Sequence, residues 1–457
     1  MQSTEATAKL DIVELVNVPH MTGFQKLVVL LCAIIAMLDG FDTQAIAFVA
    51  PAIAAEWGAD KSAFGPVFSS ALVGLAVGSF ILGAVADRIG RRVVIIGGTD
   101  AFGTFSIATA FSTSLDQIML LRFLTGLGLG GAMPNIIALT TEYSPKRLRT
   151  VMVVLMFSGF PLGALLGGIV SAQLVAGFGW SSVFWFGGIL PLLLVPVLIY
   201  KLPESLPFLV RSEKSENDDV LRRLVGKIRP DLQVSTSDKF YIPEAGVEKG
   251  NVKQLFVRGR GLGTLMLWGI FFTNLLMFYF LISWLPTVLV DAGLPIKLAI
   301  LAAVLLNAGS VFGGVILGRM VDARGPFGVL TVNYLFAAVF ALLIGTTADQ
   351  LYVVGFLVFC AGFCVGGGQL VANSLAATYY PTDIRSTGIG WSIGFGRMGA
   401  ILGPVIGGGL ISLQFDTQQL FVAVAIPGIL AACAVFLMGR VDAKSTSNIA
   451  TETAAAG

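Results

Sequence analysis

A chain of 457 residues with 12% charged side chains and a mean hydropathy of +0.86 lacks the surface of a water-soluble protein, which carries about 25% charged residues. Its 29 basic and 27 acidic residues leave a net charge of only +2, and no nucleic-acid partner is expected. The four cysteines, Cys32, Cys360, Cys364 and Cys433, all lie in apolar runs, where a thiol behaves as a small apolar group, so neither a disulfide framework nor a metal site is implied.

In chain order, residues 1–22 form a polar segment with Glu5, Lys9, Asp11, Glu14 and the single histidine, His20. The run that follows has no short apolar core ahead of a small-residue cleavage site, so no cleaved leader is expected. Twelve apolar runs of about 18 to 25 residues come next, each long enough to cross a ~30 Å hydrocarbon core as a helix. They begin near Phe24, Ala63, Val93, Ile118, Thr150, Val183, Gly263, Leu298, Val329, Leu351, Ser386 and Leu420. The period-two alternation of a membrane barrel is missing, and an all-α integral membrane protein is predicted.

The first run holds Asp39 and Asp42, three apart and therefore on one helical face. A carboxylate in hydrocarbon is costly unless it meets water, a partner or a proton, and two close acids push one pKa upward, so the pair is a candidate proton carrier. Between the second and third runs stands GAVADRIGRR, with Asp87, Arg88, Arg91 and Arg92. It reads as a cytoplasmic latch, in which Asp87 accepts from basic groups or a helix N-terminus and the arginines meet lipid headgroups. Asp100, about two turns into the third run, fits either a functional or a pairing role. Glu142 closes the fourth run just ahead of Tyr143, Pro145 and Arg149, as a further proton carrier or as half of a gating ion pair.

Two bases lie inside runs, Arg122 in the fourth and Arg397 in the eleventh. Arg397 stands 12 residues into its run, about 18 Å by helical rise and close to the midplane. A guanidinium there requires an anion, either a substrate carboxylate held bidentately or a protein acid such as Asp39 or Asp42. Arg122 admits the same two readings. Candidate lining groups for an organic ligand are Phe41, Asn274, Phe278, Tyr279, Ser283, Trp284, Asn307, Gln369, Asn373 and Trp391, each of which also suits interhelical packing. Pro286 predicts a bend or helix end after Trp284.

The polar stretch 203–260 divides the chain, giving expected boundaries at 1–22, 23–202 (six helices), 203–260, 261–440 (six helices) and 441–457. The halves echo each other. GAVADRIG from Gly83 returns as GRMVDARG from Gly318, YSPKRLR from Tyr143 as YYPTDIR from Tyr379, and GALLGG from Gly163 as GAILGP from Gly399, all shifted by 235 or 236 residues. The second latch keeps Arg319, Asp322 and Arg324, and Arg385 closes the second YYP element. Of the 29 basic residues only Lys61 and Lys297 fall on one side, so the other side is cytoplasmic and both termini face it. A parallel repeat puts a binding site near the midplane and suggests alternating access by rocking.

The duplicated latch resembles that of the major facilitator superfamily over residues 20–440, and MLDGFDTQAIAF (Met37 to Phe48) resembles the aromatic acid:proton symporter family, which carries an Asp-Gly-x-Asp element there. The resemblance implies two pseudo-symmetric six-helix bundles and proton-coupled import of a benzoate- or hydroxybenzoate-like carboxylate, by a monomer in the bacterial cytoplasmic membrane. It also covers Arg122, Arg385 and Arg397, which match arginine positions of that family. A proton-linked sugar porter shares Gly40 to Thr43 and Pro203 to Ser205, but TNLLMFYFLISW in the seventh run offers no glutamine for sugar hydroxyls. The run from Gly159 vaguely resembles an antiporter element, yet two deep arginines suit an anion better than a cation. A sensor of aromatic acids is the rival from another class, and no appended signalling domain is evident. With no Walker A sequence, GxSxG or metal cluster, an enzyme is not expected, and the driving force is a proton gradient without a cofactor.

Overall fold

Each apolar run folds as helix within a few residues of its predicted start. The computed structural model describes residues 9–212, 215–232, 235, 238–241, 252–257, 260–381 and 384–456, without the side chains of 215, 216, 386 and 441–456. Glu5, Glu213 and Lys214, and the side chain of Glu216, lie outside the described residues. The order is β1 Lys9–Asp11, α1 Ile12–Val16, α2 Gly23–Trp57, α3 Phe64–Ile89, α4 Arg91–Thr109, α5 Leu115–Glu142, α6 Arg149–Phe157, α7 Gly159–Phe178 and α8 Ser181–Lys201. There follow α9 Leu206–Arg211, α10 Ser215–Ile228, β2 Lys239–Tyr241, α11 Gly261–Asp291, α12 Ile296–Arg324, α13 Pro326–Thr346, α14 Leu351–Tyr379, α15 Arg385–Ser412 and α16 Thr417–Ala456. Among the described residues, eleven helical stretches are long and apolar enough to cross a membrane, with α6 and α7 counted as one. The third run, α4, is a 19-residue helix whose hydropathy is lowered by Arg91, Arg92 and Asp100.

Of the two expectations for Pro286, a helix end is not met, since α11 continues to Asp291. Membrane helices tolerate an internal proline where packed neighbours satisfy the freed backbone, and residues 280–289 are buried throughout.

The internal repeat is visible in how helices touch. A Cβ on Gly74 or Gly78 of α3 would strike the carbonyls of Phe123 or Leu127 in α5. The equivalent Gly309 and Gly313 of α12 stand against the carbonyls of Phe359 and Phe363 in α14. Likewise Gly163 of α7 abuts Met37 of α2, and Gly399 of α15 abuts Phe272 of α11. Small residues are needed because no hydrophobic effect drives helices together in lipid, and close backbone approach supplies dispersion instead. The two latches end alike: Gly90 has φ +98° and Gly325 φ +79°, a region that disfavours side chains.

The contacts divide the chain into two units. The first comprises the described residues of Met1–Thr43, Val73–Gly163 and Phe184–Gly246. In it the 203–260 stretch is more structured than a plain loop: β1 pairs in parallel with β2, Lys9 opposite Lys239. Asp11 caps α1 by accepting from Val13 N at 2.7 Å. Ile12, Val16 and Val18 then bury in one apolar cluster with Leu206, Leu209, Leu221, Leu224 and Ile228.

The second unit comprises the described residues of Gln44–Leu72, Ala164–Val183 and Val247–Gly457, so it takes the C-terminal part of α2, the start of α3 and most of α7 together with α11 to α16. Gln44 and Asn307 exchange reciprocal amide hydrogen bonds, both 2.9 Å. Ser69 Oγ donates to Ile401 O at 2.6 Å, Phe68 meets the Trp284 ring edge-on at 5.1 Å, and Lys61 pairs with Asp291 at 2.5 Å. Gly65 and Gly408 let the backbones of α3 and α15 meet directly.

Candidate functional site

In the first unit, α2 and α5 carry the acids and base predicted inside the runs. Asp42 and Arg122 are each fully buried and form a bidentate ion pair, with Nη1 donating to Oδ1 at 3.0 Å and Nη2 to Oδ2. Ser106 of α4 reaches the same Oδ1 at 3.5 Å, and the Phe184 ring lies 5.6 Å below the guanidinium carbon. Of the two readings for Arg122, this geometry favours the internal charge pair, because both nitrogens that a substrate carboxylate would use are engaged. Asp39 is also buried and accepts from Thr43 Oγ1 at 3.1 Å. Phe41 packs edge-on to Phe186 at 5.7 Å and against Gly187.

At the latch of this unit Arg91 pairs with Glu142. Asp87 and Arg88 are exposed, and the group on the N-terminus of α4 is not Asp87 but Glu204, whose Oε1 accepts from Arg91 N at 2.8 Å and Arg92 N at 3.1 Å. Arg92 turns its guanidinium to the carbonyl of Ile199. A carboxylate placed there meets the orphan donors and positive end of the helix. Tyr143 donates to the carbonyl of Glu204 at 2.7 Å, and burial, reinforced by the nearby Glu142 and Glu204 charges, pushes its phenol well above the ordinary value. Sequence reasoning missed Glu204 because Pro203 to Ser205 stood out only as an element shared with sugar porters. Asp100 sits exposed on α4, away from the Asp42 pair.

In the second unit, Asn274 of α11 donates to Gln369 of α14 at 2.6 Å, and Gln369 Nε2 continues to Asn373 Oδ1 at 3.3 Å. Asn274 is 2% exposed, and its other amide atom finds no partner among the described residues. Trp391 and Phe395 of α15 stack on Trp268 at 5.7 and 4.2 Å, and Trp391 keeps 43% of its surface open. Arg397, half-buried on the same helix, makes no hydrogen bond or ion pair among the described residues. Trp284 is spent on packing: it is 1% exposed and donates Nε1–H to Pro404 O at 3.0 Å. Tyr279 meets Phe278 edge-on at 5.8 Å. Asp322 is exposed, and Arg385 is exposed with Nε donating to Tyr380 O at 3.3 Å.

Duplicated six-helix bundles with ionisable side chains buried midway along their helices define a polytopic membrane transporter, not an enzyme. A profile of the Major Facilitator Superfamily matches residues 32–367 and 348–456, and the chain belongs to that superfamily. It is 42% identical to a 4-hydroxybenzoate transporter of Pseudomonas aeruginosa, over 96% of this chain and 98% of the relative. A gallate transporter of Pseudomonas putida is 37% identical over 96% and 97%, and a benzoate transport protein of Acinetobacter baylyi 32% over 94% and 93%. The resemblance of the first helix to the aromatic acid:proton symporter family is therefore borne out. Among solved structures, a bacterial homolog to the human lysosomal transporter Spinster, inward-facing, aligns with TM-score 0.72 at 17% identity over 92% of this chain and 98% of its own. The inward-open xylose transporter from E. coli aligns with TM-score 0.68 at 17% identity over 90% and 95%. These two share the fold.

Proposed function

We propose that the protein imports an aromatic carboxylate of the benzoate or hydroxybenzoate type together with protons, by alternating access and without a cofactor, as a monomer in the bacterial cytoplasmic membrane with both termini inside. The observation that carries this reading is the contrast between the arginines. Arg122 is neutralised by Asp42, whereas Arg397 meets no acceptor among the described residues midway along an apolar helix. A permanent cation so placed calls for an anion from outside the protein. The substrate carboxylate then lies on Arg397. The amides of Asn274, Gln369 and Asn373 suit ring hydroxyls, and the open face of Trp391 suits a ring.

Asp39 or Asp42, three residues apart on one face of α2, carries the coupled proton in this reading, taken up on the outer side and released on the inner side. Relatives named for transport of 4-hydroxybenzoate, gallate and benzoate support the substrate class.

Uptake of radiolabelled 4-hydroxybenzoate into proteoliposomes under an inward proton gradient tests the reading. Accumulation is expected to collapse with a protonophore. Uptake that ignores it overturns proton coupling, and no uptake of any benzoate overturns the substrate class.

A further inference from the structure

A groove of about 610 Å³ runs between α12, α13 and α14 in the second unit. It follows α13 from Gly328 to Phe340, a rise of about 18 Å along the helix, slightly more than one leaflet of a ~30 Å hydrocarbon core. Val332 and Phe336 on its rim are each 52% exposed, so this face of a membrane-spanning helix meets lipid. Its walls are apolar apart from one end. Midway along, Asn333 donates its amide N–H to the carbonyl of Cys364 at 2.8 Å.

The polar end is Arg324, the last residue of α12. It is exposed and makes no hydrogen bond or ion pair among the described residues. Asp322, two residues back, is exposed and likewise makes no ion pair among the described residues. A guanidinium at a helix end stands at headgroup depth, where phosphodiesters are its natural bidentate partners.

We propose that this groove binds one anionic phospholipid, with an acyl chain along α13 and its phosphodiester on Arg324. The site is separate from the transport reading and rests only on the chain crossing the membrane. Charge complementarity selects the anionic headgroup, and groove length selects a chain from the leaflet on the arginine-rich face.

Native mass spectrometry of the detergent-purified full chain, titrated with phosphatidylglycerol or phosphatidylcholine, tests it. The wild type is expected to retain one phosphatidylglycerol about five-fold more tightly than phosphatidylcholine, the equivalent of the ~1 kcal/mol one basic side chain contributes near an anionic surface. Arg324→Gln should erase that preference while still binding lipid. Val332→Trp, a substitution on an already exposed position, should fill the groove and remove the bound lipid of either kind. A preference that survives Arg324→Gln, binding unchanged in Val332→Trp, or displacement of the lipid by 4-hydroxybenzoate or inorganic phosphate overturns the proposal.

Discussion

The arginines of α5 and α15 both lie inside apolar helices but in opposite electrostatic states. Arg122 is enclosed with Asp42, Ser106 and the Phe184 ring, and its charge is answered within a few ångströms. Arg397 is half-buried on the helix that carries Trp391 and Phe395, and its charge is not answered among the described residues. A repeated fold thus carries one base as a closed pair and the other as an open receptor. Duplication fixes the scaffold but not these side chains, since the 235-residue shift sets Arg122 against Leu357 and Arg397 against Leu162.

Breaking the closed pair should have the largest effect. Asp42→Ala leaves Arg122 buried without a counter-charge, and melting of the purified protein should report a loss of about 3–5 kcal/mol. The double change Asp42→Asn with Arg122→Gln should recover part of it. A single variant as stable as wild type would show that the pair is not structural.

At the open base, Arg397→Lys keeps the charge and loses the planar fork. Binding of 4-hydroxybenzoate should weaken by about 10- to 100-fold, ~1.5–3 kcal/mol of charge-assisted hydrogen bonding, while melting is unchanged. Equal affinity would make Arg397 a structural partner and erase the contrast.

Smaller effects should come from pairs outside both sites. Gln44→Leu strands the buried amide of Asn307, a loss of about 1–2 kcal/mol that Asn307→Leu in the same protein should largely reverse. Lys61→Ala removes an ion pair whose side chains are 44% and 37% exposed. The expected change is under ~0.5 kcal/mol and should fade further with added salt.

Much of this was legible in the sequence, and for identifiable reasons. Apolar length sets a membrane helix, so the run starts at Phe24, Gly263 or Leu351 match the helix starts closely. The offset of 235 or 236 residues recurs in glycine contacts such as Gly74 with Phe123 and Gly309 with Phe359, because close backbone approach allows few substitutes. What a charge pairs with was legible only as alternatives, a protein acid such as Asp39 or Asp42 against a substrate carboxylate for Arg122. Asp42 and Arg122 are 80 residues apart, and Glu204 reaches Arg91 across 113. Spacing along one helix cannot reveal partners on another. Pro286 likewise does not end α11, which runs on to Asp291 with buried residues on either side of the proline.

The short ladder of β1 and β2 has a different kind of consequence. It sews residues 9–11 to residues 239–241, so the first half of the chain owns its seam. A gene split after Tyr241 would put both strands on one polypeptide, and a split before Lys239 would deal them to separate ones. Co-expressed pieces should therefore reassemble more readily from the first division than from the second, even though the two cut points lie only a few residues apart.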